Sequence, residues 1–268
     1  MYPDIDWAAA WRKAQESRQR DGGAEYWNKR APSFAKTAGT SPYARDFLER
    51  AGVRDGETVL DMGCGSGTLA LPLAAAGHEV HARDFSTRMI ELMLQRAELD
   101  GTRGRIHEKL LAWDDDWDAA GVPVADVAVA SRSISTRDLD AALAKLDAHA
   151  RRRVCITLAA GPSPRHDEVL LKAIGRKRAV MPDCQFACNM LWARGIEPEV
   201  SYIRSQRVKD FASPEDAVQT SATILDTTDA ERERLEAYAA EHLVERAPGA
   251  WNFDHAHVVS WCFIAWDK

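Results

Sequence analysis

Cysteine is scarce in this sequence and follows no pairing pattern. The five residues, Cys64, Cys155, Cys184, Cys188 and Cys262, are odd in number, scattered, and never form a CxxC pair. Neither a disulfide framework nor a zinc finger is expected, and the thiols read as reduced. Cys184 and Cys188 alone stand close. Their i,i+4 spacing would put both on one helix face, but no His or Cys follows at a finger spacing, so they read as small core side chains and no metal is expected. Long apolar runs are also missing: nothing approaches the roughly 18 uninterrupted apolar residues of a membrane-spanning helix. The opening MYPDIDWAAAWRKAQ lacks the basic-then-apolar order of a secretory signal. A cytoplasmic protein with no membrane partner is expected. Excess positive charge is absent as well, since 35 basic against 41 acidic residues leave a net charge of -6, which argues against nucleic-acid partners. There is no internal repeat and no low-complexity tract.

What is present suits a packed domain. Apolar residues make up 46% and charged residues 28% of 268 positions, enough to bury a sizeable core without disulfides. From residue 57 onward short β-branched runs alternate with helical patterns, the signature of a parallel sheet with crossover helices. The runs are Glu57 to Asp61, Glu79 to Arg83, Arg105 to Glu108, Val124 to Ala130, Val154 to Ala159, Val200 to Ser205 and Val258 to Trp266, seven in all. Between them, Met89, Ile90, Met93, Leu94 and Ala97 follow Ser86 at helical spacing. A further helix is expected from Ser135, with Asp138 in the place of a capping-box acid, and another from Ser213-Pro214-Glu215-Asp216. Two stretches stand outside the alternation. Residues 1–56, rich in Trp, Arg and Ala, read as a helical arm or lid. Within the remaining domain, 57–268, residues from about 161 to 257 exceed what a crossover needs and read as an insertion, the usual home of substrate selectivity.

The most informative segment is Val59-Leu60-Asp61-Met62-Gly63-Cys64-Gly65-Ser66-Gly67-Thr68. It joins the end of the first strand to a helix expected over Thr68 to Ala76, where backbone amides and a helix N-terminus can meet a ligand. A dinucleotide loop requires G-x-G-x-x-G, but the third glycine comes one residue early. A Walker loop requires a lysine that Thr68-Leu69 does not supply. Asp61, two residues before the first glycine, would repel a pyrophosphate and attract a cationic ligand. S-adenosylmethionine carries an ammonium and a sulfonium and no phosphate. At the end of the second strand Asp84, 21 residues after Gly63, is suited to hold both hydroxyls of a ribose.

The stretch VLDMGCGSG resembles the first motif of class I S-adenosylmethionine-dependent methyltransferases, and EYWNKRAPSFA (Glu25 to Ala35) is similar to the leading helix of many small-molecule members. The resemblance covers about residues 25 to 160. It implies a Rossmann-like, doubly wound α/β fold with a seven-stranded, mostly parallel sheet whose last strand is antiparallel. It also implies a cofactor site of Asp61, Gly63, Cys64, Gly65, Gly67 and Asp84, with Phe85 and Met89 near the adenosine. Trp113 and Asp114 would lie at the adenine, and Ser131 in the cleft beside the methyl donor. S-adenosylhomocysteine would be the product.

The acceptor side carries no subfamily motif. The Asn- or Asp-Pro-Pro-Tyr/Phe sequence of nucleic-acid amino-methylating enzymes is absent after the fourth strand, where Ala130-Ser131-Arg132-Ser133 stands instead. A small-molecule acceptor is therefore expected. Trp27, Arg30, Tyr43, Arg132, Trp192 and Tyr202 are candidates to shape its pocket, and His166, His255 and His257 are candidate bases, each with a packing role as the simpler alternative. The basic runs Arg151-Arg152-Arg153 and Arg176-Lys177-Arg178 read as a solvated turn before a strand and as a candidate phosphate contact in the insertion. Two alternatives stay open: a non-catalytic S-adenosylmethionine-binding sensor or subunit, and a nicotinamide-dependent oxidoreductase. A homodimer is compatible with this reading.

Overall fold

A computed structural model describes residues 5–16, 23–36, 38–161, 164, 166–177, 182–207 and 209–268. The chain forms two compact units. The first comprises Met1–Leu158, Asp183–Ile203 and Cys262–Lys268, the second Ala159–Pro182 and Arg204–Trp261.

In chain order the elements are α1 (Trp7–Glu16), α2 (Gly23–Ala35), α3 (Pro42–Ala51), β1 (Val59–Met62), α4 (Ala70–Ala75), β2 (Val80–Asp84), α5 (Thr87–Leu99), β3 (Ile106–Leu110), β4 (Ala125–Ser131), α6 (Leu139–Ala148) and β5 (Ala150–Ala159). There follow α7 (Glu168–Ala173), α8 (Asp183–Ala193), β6 (Glu199–Arg207), α9 (Pro214–Leu225), α10 (Asp229–His242), β7 (Leu243–Ala247), β8 (Ala250–Phe253) and β9 (His257–Asp267).

The first unit is built on a seven-stranded sheet of order β3-β2-β1-β4-β5-β9-β6. β3, β2, β1, β4 and β5 pair in parallel, and every residue of β1 is buried, as a central strand covered on both faces requires. The last strand, β9, runs antiparallel to β5: the Lys268 amide donates to the Arg152 carbonyl at 2.8 Å and the Ala160 amide to the Ser260 carbonyl at 3.1 Å, so one numbering rises as the other falls. The order reverses between β1 and β4, which places a ligand crevice at the carboxyl ends of β1, β2 and β4. Phe47, Leu60, Met62, Met93, Ile106, Leu143 and Phe263 are fully buried around the sheet, each worth roughly 1.5–3 kcal/mol in transfer free energy. The Trp-rich opening is helical: Trp11 is buried on α1, lies edge-on to Phe186 of α8 and donates its indole N–H to the Thr136 carbonyl at 2.9 Å.

Several local expectations need correction. The helix placed at Ser135 starts three residues later, because Asp138 is itself the N-cap and accepts the Ala141 amide at 3.0 Å. The helix placed at Thr68 becomes regular only at Ala70, since Gly67 holds φ +90° outside helical space. Arg151, Arg152 and Arg153 are no turn; they lie inside β5. Arg152 pairs with Glu57, and Arg153, nearly buried, bonds Glu199 at 2.6 Å and Asp267 at 3.0 Å.

The second unit holds α7, α9, α10 and the β7–β8 hairpin around Leu170, Leu171, Ile174, Val218, Ala222, Leu225, Leu235 and Ala239. Ser213 caps α9 as expected from its sequence. Thr228 and Glu231 form a full capping box on α10. Arg176 grips Glu231 through two hydrogen bonds of 2.8 and 2.7 Å and donates to the Leu225 carbonyl at 2.6 Å. It is thus a tie between helices, not a phosphate contact, while Arg178 lies outside the described residues. The hairpin went unread, although Pro248-Gly249 between two short runs is a turn signal.

Candidate cofactor site

The site grows from the end of β1. The amides of Gly63 and Cys64 both donate to the Arg83 carbonyl, at 2.7 and 2.9 Å, hooking the loop onto β2. The three glycines serve different needs. At Gly63 (φ +71°) an added Cβ would stand 2.3 Å from Ser133 Cβ, and at Gly67 (φ +90°) one would stand 2.7 Å from Leu71 Cγ and 2.8 Å from Met93 Cγ. These two positions let the β4 loop and α5 close on β1. At Gly65 a Cβ would meet only Met89 Sδ at 3.9 Å, so this part of the loop faces open space.

Two carboxylates flank that space. Asp84, buried at the end of β2, accepts the Gly65 amide on Oδ2 and the Ser86 amide on Oδ1, each at 2.8 Å. Each oxygen keeps a further lone pair. Burial raises its carboxyl above the usual range, and the Ser86, Gly65 and Phe85 amides work against that rise. Asp61 is 1% exposed, and its oxygens make no hydrogen bond of normal length and angle, the Ala70 amide acting on them only weakly. Burial, reinforced by the Asp84 charge, pushes its carboxyl up to about 7, which the Ala70 amide offsets only in part. Leaving a buried ionisable group unanswered costs free energy, so this position calls for a cation. Cys64 is buried in the same loop, and desolvation with the Asp84 and Asp61 charges raises its thiol well above the ordinary range. That keeps it protonated and unsuited to act as a nucleophile.

Around these groups the structure gathers several of the other candidates. Met89 is buried on α5 and Phe85 is 37% exposed beside Asp84. Tyr43, buried on α3, bridges Ser131 Oγ at 2.9 Å and Thr157 Oγ1 at 2.7 Å. The Arg132 guanidinium lies 4.1 Å from the centre of its ring. Arg132 has φ +59°, uncommon for a non-glycine residue, and its amide donates to Thr157 Oγ1 at 3.0 Å. Desolvation pushes the Tyr43 hydroxyl up, against the Arg132 charge and the Ser131 and Thr157 hydrogen bonds; Asp61 stands opposite Val129 of β4, two residues before Ser131, which sets Ser131 and its partners beside the end of β1.

Trp113 and Asp114 follow Leu111, whose amide donates to the Asp84 carbonyl at 3.0 Å, and the remaining candidates are placed by other elements. Trp113 is half-buried near Trp117 with ring centres 5.6 Å apart, and Asp114 is exposed in the turn that follows. Trp27 and Arg30 are on α2, the arginine exposed over the Tyr26 ring. Trp192 is exposed at the end of α8 and Tyr202 on β6, three strands along the sheet from β4. His166, His255 and His257 belong to the second unit. There both ring nitrogens of His255 are engaged, Nε2 with Asp167 Oδ2 at 2.9 Å and Nδ1 with the Tyr238 hydroxyl at 3.1 Å.

Two contributors escaped the sequence reading. Asn28 of α2 accepts the Ser86 hydroxyl at 2.7 Å and the Arg88 amide at 3.1 Å, seating α2 on the start of α5. Ser133 donates to the Met62 carbonyl at 2.8 Å, locking the β4 loop against Gly63. Nothing local marks Asn28. Ser133 was visible only as one of several serines.

A doubly wound sheet with a glycine loop and two buried acids at its switch point defines the class I methyltransferase architecture. Residues 59–152 match the family model described as a methyltransferase domain. An uncharacterized protein of Haemophilus influenzae is 36% identical over 186 residues, which span 67% of this chain and 66% of that one, slightly under two thirds of the relative's length. A candidate methyltransferase from Bacillus halodurans shares the fold with a TM-score of 0.54 at 12% identity, over 84% of this chain and 98% of that one. So does phosphoethanolamine N-methyltransferase 2 of Haemonchus contortus, solved with phosphomonomethylethanolamine and S-adenosylhomocysteine. Its TM-score is 0.50 at 16% identity, over 98% of this chain and 60% of that one.

Proposed function

We propose that this protein is an S-adenosylmethionine-dependent methyltransferase with a small-molecule acceptor. The observation that carries the reading is Asp61, a buried carboxylate without a hydrogen bond of normal length and angle, beside a loop whose Gly65 face is open. A pyrophosphate would meet two carboxylates there, whereas an ammonium supplies the missing partner. When bound, the sulfonium supplies a methyl group already activated for in-line displacement.

The chain's own task is then alignment and exclusion of water. Asp61 holds the amino group and Asp84 accepts from the ribose hydroxyls, its oxygens pre-aimed by the Gly65 and Ser86 amides. Phe85 and Met89 flank the adenosine, and Trp113 and Asp114 supply the adenine side. Ser131, Tyr43 and Arg132 form the acceptor side of that cleft, where the guanidinium stacked on Tyr43 favours an acceptor with an anionic group. No base is assigned, because a neutral amine needs none. A nicotinamide-dependent oxidoreductase fits less well, since it would leave Asp61 facing phosphate.

Incubation with methyl-tritiated S-adenosylmethionine and a cell extract tests the acceptor class. Label is expected in the small-molecule fraction and is lost with Asp84→Ala. Label in protein or nucleic acid alone would overturn the small-molecule reading.

A further inference from the structure

The cofactor reading leaves one cavity unused. It lies wholly within the unit formed by Ala159–Pro182 and Arg204–Trp261 and has a volume of about 370 Å³, within the range of small-molecule sites. One side of it is apolar. Phe211, Phe253, Leu170 and Ile224 line it, and Phe211 meets Phe253 edge-on, with ring centres 6.0 Å apart and planes at 82°. A flat ring entering there finds both an edge and a face to pack against.

The charges around the cavity are unequally matched. Its two carboxylates are already engaged. Asp167 accepts the Val169 amide at 2.9 Å as the N-cap of α7 and pairs with His255 through its other oxygen. Asp254 Oδ2 stands 3.0 Å from His242 Nδ1, a contact that holds its carboxyl below the usual range. The two cations on the lining, Lys209 and Arg246, have no ion pair with a carboxylate among the described residues. Lys209 instead rests its ammonium 5.1 Å from the centre of the Phe211 ring, at the join between the charged and apolar walls. A cationic ligand would find the acids taken and the cations repelling it, and a neutral one would gain nothing from either cation. An anion with a flat apolar body uses every wall.

We propose that this cavity binds a small aromatic carboxylate, the ring packed on Phe211 and Phe253 and the carboxylate answered by Lys209 and Arg246. The proposal uses no residue of the glycine loop and stands independently of the methyl-donor reading.

Calorimetric titration of the full chain with 2-naphthoate, and with 2-naphthamide as its uncharged counterpart, is the test. The acid is expected to bind at one site per chain, and the amide at least ~10-fold more weakly, as loss of charge-assisted hydrogen bonds implies. In Lys209→Gln/Arg246→Gln the acid should fall to the affinity of the amide, while the amide itself is unchanged. Ser221→Phe, which fills the cavity from α9, should abolish both. An unchanged thermal midpoint keeps the charge variant interpretable; if Ser221→Phe fails to fold, Ile224→Trp replaces it. No binding of the acid to the wild type, equal affinity for acid and amide, or indifference to loss of both cations would overturn the proposal.

Discussion

Asp61 concentrates the chemistry of the glycine loop in one side chain. Its carboxyl is pushed up to about 7, first by burial and then by Asp84. Between the ordinary carboxylate range and about 7 the folded protein binds the extra proton, so this residue makes stability fall as pH rises through that window, with no further change above it. Asp61→Asn is therefore expected to unfold at higher temperature than wild type at about pH 8, by roughly 2 kcal/mol, with the difference shrinking toward about pH 4. Thermal melts across pH read this directly. Ligand binding should show the opposite preference. Because the charged form of Asp61 attracts the ammonium, S-adenosylmethionine affinity should rise from about pH 6 to about pH 7.5 in wild type and stay flat in Asp61→Asn. A pH-independent affinity in wild type would remove Asp61 from the ammonium site.

The elements explain why the loop tolerates so little change. Gly63→Ala would force a Cβ to 2.3 Å from Ser133, at a φ that only glycine adopts readily, and is expected to cost about 3 kcal/mol or more in urea denaturation. Gly65→Ala meets nothing closer than 3.9 Å and should cost only about 1–2 kcal/mol, while impairing the ligand that passes over it. Equal costs at the two glycines would contradict this division of labour. Much of this was legible in the sequence, because it is local. Ser86 and Ser213 announce their helices by cap chemistry, and Asp61, Gly63 and Asp84 lie at strand ends fixed by periodicity. Tyr43, Asn28 and Ser133 act through partners 58 to 114 residues away, and no local pattern encodes such a partner. The β5 arginines were misread for a related reason: a strand whose charges are answered by Glu57, Glu199 and Asp267 looks like a polar turn until those partners are known.

At the scale of the whole chain, the segment that matches the methyltransferase model lies in the first unit, while most of the residues that looked surplus to a crossover fold around their own core in the second. Arg153 ties three strands of the sheet in the first unit through Glu199 and Asp267. Arg153→Ala should lower stability by about 1–3 kcal/mol, measured by urea unfolding, with the cofactor loop left intact. The central claim concerns that loop, which pairs a weakly answered acid with an acid pre-aimed by backbone amides. Its most direct test is calorimetric titration of S-adenosylmethionine and of a nicotinamide dinucleotide into wild type, Asp61→Asn and Asp84→Ala. The account predicts one S-adenosylmethionine site per chain in wild type, at least ~10-fold weaker binding in each variant, and no heat from the dinucleotide. Binding of the dinucleotide, or S-adenosylmethionine affinity indifferent to both acids, would contradict it.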